Sequence, residues 1–148
     1  MLDKKKFYIN GQWVGPKKPN DFEVINPSNE EACAVISLGS KEDTNSAIKS
    51  AKHAFEKWKE TTKEDRLNYL EKLLSIYKKK SMEMAEAISL EMGAPKDWAT
   101  DVQTASGQSH LEDFILRLKD FKFEEHFDEK SNNHIYYEPI GVCGLITP

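Results

Sequence analysis

Residues 138–148 read Glu-Pro-Ile-Gly-Val-Cys-Gly-Leu-Ile-Thr-Pro, and this stretch decides the fold class. Its centre, 142–146, is apolar at every position if Gly144 is counted. Such a run is typical of a strand buried on both faces in a parallel sheet. We therefore predict an α/β fold. A parallel strand needs a neighbouring strand, and neither a helix nor a strand follows this one, so we expect an incomplete fold and a truncated chain.

The glycines of this stretch, Gly141 and Gly144, look like half of a phosphate-binding loop. A dinucleotide fingerprint requires three glycines between a strand and a helix. The third glycine and the helix are missing here, so close packing of a core strand is the better explanation for both glycines.

The first 38 residues predict a small β-meander. Aromatic and β-branched residues flank Asn10-Gly11, a dipeptide that suits a type I′ hairpin turn. Further strands are predicted at 22–25 and 32–37, on either side of a turn with Pro27.

The apolar period changes to that of a helix at Ser40, which begins a capping box with Asp43. A second helix begins at Thr62 and is predicted to end at the lysines 78–80, where positive charge suits the helix dipole. A third helix over 82–90 ends at Gly93.

The rest of the chain predicts one more helix and a second hairpin. Residues 97–120 keep a helical spacing that Gly107 weakens in the middle. Strands at 121–127 and 134–139 flank a polar turn over 128–133 and should form a hairpin that has little contact with the helices. A two-stranded hairpin is only marginally stable alone.

Composition excludes several classes of function. The chain has 21 basic and 25 acidic residues, a net charge of −4, which argues against a nucleic-acid partner. It shows no secretory signal and no apolar run near the roughly 20 residues of a membrane span, so we expect a cytoplasmic protein that binds no membrane. Two cysteines form no disulfide framework.

Few side chains carry a chemical signal. Cys33 and Cys143 lie in apolar segments, and we interpret both as buried structural residues. The four histidines have no metal-ligand spacing and are interpreted as surface or hydrogen-bonded residues. Glu91 is unusual, because an acid in the last turn of a helix opposes the dipole; it is either an exposed residue with a small cost or the partner of a cation.

Taken in order, these segments resemble the amino-terminal third of an NAD(P)-dependent aldehyde dehydrogenase. The stretches that carry the resemblance are 8–13, 24–27, 47–58, 91–95 and 138–148. It implies the outer strands and helices of a Rossmann-like cofactor domain over 1–121 and an oligomerisation β-hairpin over 122–140. Residues 141–148 would be the first Rossmann strand, truncated, and the catalytic domain would be absent.

The resemblance also assigns site residues. Ile146, Thr147 and Pro148 match positions that line the NAD or NADP site, and no position of this chain matches a catalytic residue. Some family members hold a structural monovalent cation, which implies a site made by the Ile25 carbonyl and the Glu91 carboxylate. Many relatives have the shorter Asp at the position of Glu91.

The implied activity is oxidation of an aldehyde to a carboxylic acid with NAD(P) through a cysteine thioester, in a homo-oligomer. The chain alone is expected to be inactive, because the nucleophile, the general base and the oxyanion donor are missing. The alternative is a stand-alone interaction or assembly module that binds a full-length homologue through its amphipathic helices and its unpaired hairpin.

Overall fold

The computed structural model describes residues 1–128 and 132–147. Strands at the amino-terminal end are followed by helices and then by a β-hairpin. The elements are β1 (Leu2–Asp3), β2 (Phe7–Ile9), β3 (Gln12–Val14), β4 (Asp21–Asn26), β5 (Glu31–Ser37), α1 (Lys41–Trp58), α2 (Lys63–Met92), α3 (Lys96–Trp98), a π-helix (Ala99–Thr104), α4 (Ala105–Asp120), β6 (Glu124–His126) and β7 (His134–Tyr136).

The first hairpin, β2–β3, has the predicted turn. Its two central residues both have positive φ, 53° at Asn10 and 74° at Gly11, which the type I′ turn requires. Tyr8 pairs with Trp13 across the strands, and their ring centroids are 5.3 Å apart.

The predicted meander is wrong, because the amino-terminal strands form two separate sheets. β4 and β5 pair antiparallel, as expected, but the other neighbour of β5 is the parallel strand β1. The loop between β3 and β4 contains Pro16 and Pro19, which cannot donate hydrogen bonds to a strand ladder. β1 has only two residues, too few to show an alternating pattern.

Both predicted capping boxes are present. Ser40 Oγ accepts from the Asp43 backbone N–H at 3.2 Å, and Asp43 Oδ2 accepts from the Ser40 N–H at 3.0 Å. Thr62 and Asp65 make the same reciprocal pair at the start of α2. The second carboxylate oxygen of Asp43 accepts from the Lys17 N–H at 2.9 Å, so the cap of α1 also fixes the loop before β4.

The prediction of two helices between 63 and 92 is wrong: α2 is one helix of 30 residues that ends at Gly93. The lysines 78–80 lie in its interior, because lysine is a good helix former and no glycine or proline interrupts the region. Lys78 pairs with Glu112 of α4 at 2.7 Å, so its charge is used between helices rather than at a helix end. Gly93 has φ 69°, the left-handed conformation of a helix C-cap.

The long helix expected over 97–120 is present, and its first half contains the π-helix. Thr104 is almost fully buried, and its hydroxyl donates to the carbonyls of Ala99 and Thr100 at 2.9 and 2.8 Å. The Thr104 carbonyl accepts from the Tyr77 hydroxyl of α2 at 2.9 Å. Gly107 lies against the same Tyr77 ring, so the glycine permits close contact between α2 and α4.

The core lies where α2 meets the π-helix and α4. Leu67, Ala85, Ala99 and Ile115 are the buried apolar residues of the described chain. Many large apolar side chains stay exposed on the strands and helices, which leaves this core small for a chain of 148 residues. No helix within 1–128 and 132–147 has both the length and the apolar character needed to cross a membrane.

Gly107→Ala is expected to lower the free energy of unfolding by up to about 2 kcal/mol. An added methyl group would meet the Tyr77 hydroxyl, and overpacking costs about 1–3 kcal/mol, of which the better helix propensity of alanine offsets about 1 kcal/mol. Urea denaturation measures the change. The double variant Tyr77→Phe, Gly107→Ala should lose less than the sum of the two single variants, and strict additivity would contradict the contact.

The stability of the chain should fall below about pH 4 in part through Asp43. Hydrogen bonds from Ser40 and from the Lys17 backbone hold the pKa of Asp43 below its ordinary value of 3.8. This stabilisation is complete above that value and is lost as pH falls through the lower pKa of the folded state. Urea unfolding across this range should show a weaker pH dependence for Asp43→Asn. The exposed Asp101→Asn serves as the control, and equal slopes for both variants would refute the role of Asp43.

Candidate functional site

The segment 138–147 contains two of the three predicted cofactor residues, Ile146 and Thr147, and it has no helix or strand. Its apolar side chains face solvent: Ile140, Leu145 and Ile146 are 93%, 90% and 98% exposed. The strand expected at 141–148 is therefore not formed over 141–147, the part of it that the structure describes. A parallel strand depends on hydrogen bonds from neighbours, and no described strand pairs with this segment.

The predicted cofactor residues that the structure describes are open to solvent. Ile146 and Thr147 are both exposed, and Pro148 lies outside the described residues. Close packing does not explain the two glycines either, because a Cβ on Gly141 or Gly144 would meet no atom within 4 Å. Gly141 has φ 116°, so it is favoured there by its backbone conformation.

The two residues of the predicted cation site lie on elements that meet. Ile25 is near the end of β4, and Glu91 is in the last turn of α2. Gly93 packs closely against the side chains of Pro27 and Ser28, which brings the end of α2 beside the turn after β4. The last turn of α2 contains no basic residue. Among the described residues, no group of three or more His, Cys, Asp or Glu could hold a metal, so a cation here would depend on carbonyl oxygens.

The cysteine prediction is wrong for Cys143, which is exposed because the strand around it is not formed. Cys33 is partly buried in β5, where its Sγ lies 3.3 Å from the Val24 carbonyl oxygen.

The second hairpin is confirmed as an antiparallel pair of strands, β6 and β7. Tyr136 Oη donates to Glu124 at 2.9 Å and Tyr137 Oη donates to Glu125 at 2.8 Å, and these hydrogen bonds raise the pKa of both tyrosines. Residues 129–131 of the predicted turn lie outside the described residues.

The root of this hairpin contacts α2, which the sequence did not predict. Phe121 packs edge-on against Phe123 and Tyr137, with ring centroids 4.9 and 5.3 Å apart. The Arg66 guanidinium lies 5.4 Å from the centre of the Phe123 ring. Lys63 Nζ donates to the Lys119 and Phe121 carbonyls at 2.8 and 3.3 Å, where it satisfies acceptors at the end of α4. Two basic side chains of α2 thus fix where the hairpin leaves the helices.

An apolar groove of about 690 Å³ lies between α2 and α4, next to the hairpin root. The residues that line it are Trp58, Arg66, Tyr69, Leu70, Leu73, Phe114, Arg117, Leu118, Phe121 and Phe123. Several of these apolar side chains are uncovered, among them Tyr69, Leu73 and Phe114, which are exposed.

The mixed α/β architecture, with its two small sheets, long helices and separate hairpin, matches a known class of enzyme structure. The chain belongs to the aldehyde dehydrogenase family, whose model matches residues 13–148. The resemblance seen in the sequence and the α/β fold class are therefore confirmed.

Individual relatives agree with this assignment. The chain is 42% identical over 149 residues to a 3-succinoylsemialdehyde-pyridine dehydrogenase of a Pseudomonas species, covering 100% of this chain and 31% of that protein. It is 54% identical to an aldehyde dehydrogenase of Bartonella henselae, with a TM-score of 0.87 over 89% of this chain and 28% of the other. A mutant aldehyde dehydrogenase C of Pseudomonas syringae, in complex with NAD⁺ and octanal, has 32% identity and a TM-score of 0.81, over 84% of this chain and 26% of the other. The chain thus spans less than a third of the length of these relatives.

The purified chain is expected to self-associate and to bind an apolar dye, because the groove and the segment 138–147 expose contiguous apolar surface. The double variant Leu145→Ser, Ile146→Ser should reduce both effects, as measured by sedimentation velocity and dye fluorescence. Leu116→Ser is the matched control, since Leu116 is 63% exposed but lies outside the segment. A monomeric wild-type chain that binds no dye would contradict this expectation.

Proposed function

We propose that this chain forms the amino-terminal part of an NAD(P)-dependent aldehyde dehydrogenase that oxidises an aldehyde to a carboxylic acid. The observation that carries the proposal is the family match over residues 13–148, which takes in nearly the whole chain. Likeness to a structure that holds NAD⁺ and octanal supports the same cofactor and substrate classes.

Within that enzyme, residues 1–121 would form the outer strands and helices of the cofactor domain, and 122–140 would form an oligomerisation hairpin. The antiparallel pairing of β6 and β7 and their separation from the helices support this division. Residues 141–148 would become the first Rossmann strand. The apolar, solvent-exposed side chains of 142–146 support that role, since such a segment is stable only when a sheet covers both its faces.

Ile146, Thr147 and Pro148 would line the NAD(P) site when that strand is paired. The bound dinucleotide would supply the acceptor for the hydride that leaves the aldehyde carbon. The Ile25 carbonyl and the Glu91 carboxylate would hold a structural monovalent cation. The contact of Gly93 with Pro27 and Ser28 supports this, because it holds the two elements together.

The catalytic residues would come from outside the positions matched by this chain. There a cysteine thiolate would attack the aldehyde, and loss of hydride would leave a thioester that water, activated by a glutamate, would hydrolyse. We further propose that the active protein is a cytoplasmic homo-oligomer.

A second function remains a candidate, namely an assembly module that binds a full-length homologue. The uncovered groove between α2 and α4 favours it, because an exposed apolar surface marks a site of interaction. Co-purification of the chain with a full-length relative would support this candidate.

The 148-residue chain alone should reduce no NAD⁺ in the presence of octanal, beyond a no-protein blank. Loss of the catalytic groups lowers rates by several orders of magnitude. Absorbance at the NADH band measures the rate. Any rate of NAD⁺ reduction that depends on both protein and aldehyde would contradict the proposal that the catalytic residues lie outside this chain.

A chimera tests whether this chain can serve as the amino-terminal part of an active aldehyde dehydrogenase. Residues 1–147 would replace the matching part of the Bartonella henselae enzyme, to which this chain is 54% identical. The chimera should oxidise aldehydes with NAD⁺. A well-folded chimera that binds no NAD⁺ would refute the cofactor role of the segment.

A further inference from the structure

Two histidines that sequence analysis interpreted only as surface or hydrogen-bonded residues face each other on the second hairpin. His126 of β6 and His134 of β7 are direct partners in the antiparallel register. Paired residues project from the same face of a sheet, and here the two ring centroids are 4.3 Å apart with an angle of 45° between the planes.

A carboxylate and a phenol complete this face of the hairpin. Glu124 and Tyr136 are also register partners, two positions away along each strand. Glu124 Oε1 lies 2.9 Å from His134 Nδ1 and accepts from the Tyr136 hydroxyl at 2.9 Å. His134 Nδ1 is buried and has no hydrogen bond of good geometry.

We propose that His126 and His134 form a two-histidine site for a divalent transition-metal ion of the class that prefers imidazole, such as Ni²⁺, Cu²⁺ or Zn²⁺. Metal–imidazole bonds are about 2.0–2.1 Å long, so two rings as close as this pair can share one ion. The torsion that turns an imidazole ring about its Cβ–Cγ bond is broad, which lets each ring direct a nitrogen to a common ion.

Glu124 acts on the site without being a ligand. Its negative charge beside His134 favours a cation, and a carboxylate next to a ligating imidazole orients the ring. Three-ligand groups are absent from the described residues, so water would complete the coordination. The ion would link β6 to β7 and stabilise a hairpin that is marginal without further support.

The test is calorimetric titration of the untagged full chain with Ni²⁺ near pH 7. We expect one ion per chain, and a loss of affinity of about tenfold or more in His126→Ala and in His134→Ala. Second-sphere partners alone typically contribute 10–100-fold, so loss of a ligand costs at least that much, and Glu124→Gln should cause a smaller loss.

Two control variants exclude other metal-binding groups. His110→Ala changes an exposed histidine of α4, and Cys143→Ser removes the exposed thiol; neither should alter the affinity. Circular dichroism checks that each variant keeps its fold. Amide hydrogen exchange supplies a second readout, because Ni²⁺ should slow exchange in β6 and β7 of the wild-type chain but not in the His126→Ala chain.

Absence of Ni²⁺ binding by the wild-type chain would overturn the proposal. Equal Ni²⁺ affinity in the wild-type, His126→Ala and His134→Ala chains would also overturn it. So would loss of Ni²⁺ binding in His110→Ala or in Cys143→Ser.

Discussion

The close approach of α2 and α4 at Tyr77 is the contact on which the other elements depend. The Tyr77 hydroxyl donates to the Thr104 carbonyl, and its ring lies where the side chain of any residue larger than glycine would stand at 107. Thr104 ends the π-helix, so the hydrogen bond from Tyr77 joins this irregular segment to the neighbouring helix. The hydrogen bonds of Thr104 to Ala99 and Thr100 hold that irregular segment in place.

Because α2 is fixed along its middle, its two ends position separate parts of the chain. The carboxyl end, at Gly93, packs against Pro27 and Ser28 and so joins the helices to the three-stranded sheet. The amino end supplies Lys63 and Arg66 to the root of the second hairpin. A single helix of 30 residues, about 45 Å long at 1.5 Å per residue, therefore sets the distance between the predicted cation site and the hairpin.

Local signals in the sequence correctly predicted turns and helix ends that are determined by residues close by in the chain. The turn at Asn10-Gly11, both capping boxes and the glycine that ends α2 follow from side-chain and backbone chemistry within a few residues. Sequence reasoning failed where partners far along the chain decide the outcome. It divided α2 at lysines 78–80, since the pairing of Lys78 with Glu112 of α4 was not visible. It gave Gly107 a weakening role because the contact with the Tyr77 ring could not be foreseen.

The same distinction between neighbouring and distant partners applies to the candidate site residues. The register of β6 and β7 is set within a short stretch of chain, so His126 and His134 meet without any distant element. Sequence analysis predicted this hairpin but did not pair the two histidines. The segment 141–147 has the opposite dependence. Its apolar composition indicates a strand buried on both faces, yet a parallel strand gains hydrogen bonds and apolar burial only from neighbouring strands and helices. Composition therefore predicts the environment that a segment requires. The conformation that the segment adopts depends on whether that environment is present. Ile146 is an example, because its composition-based prediction was a buried position and the side chain is 98% exposed.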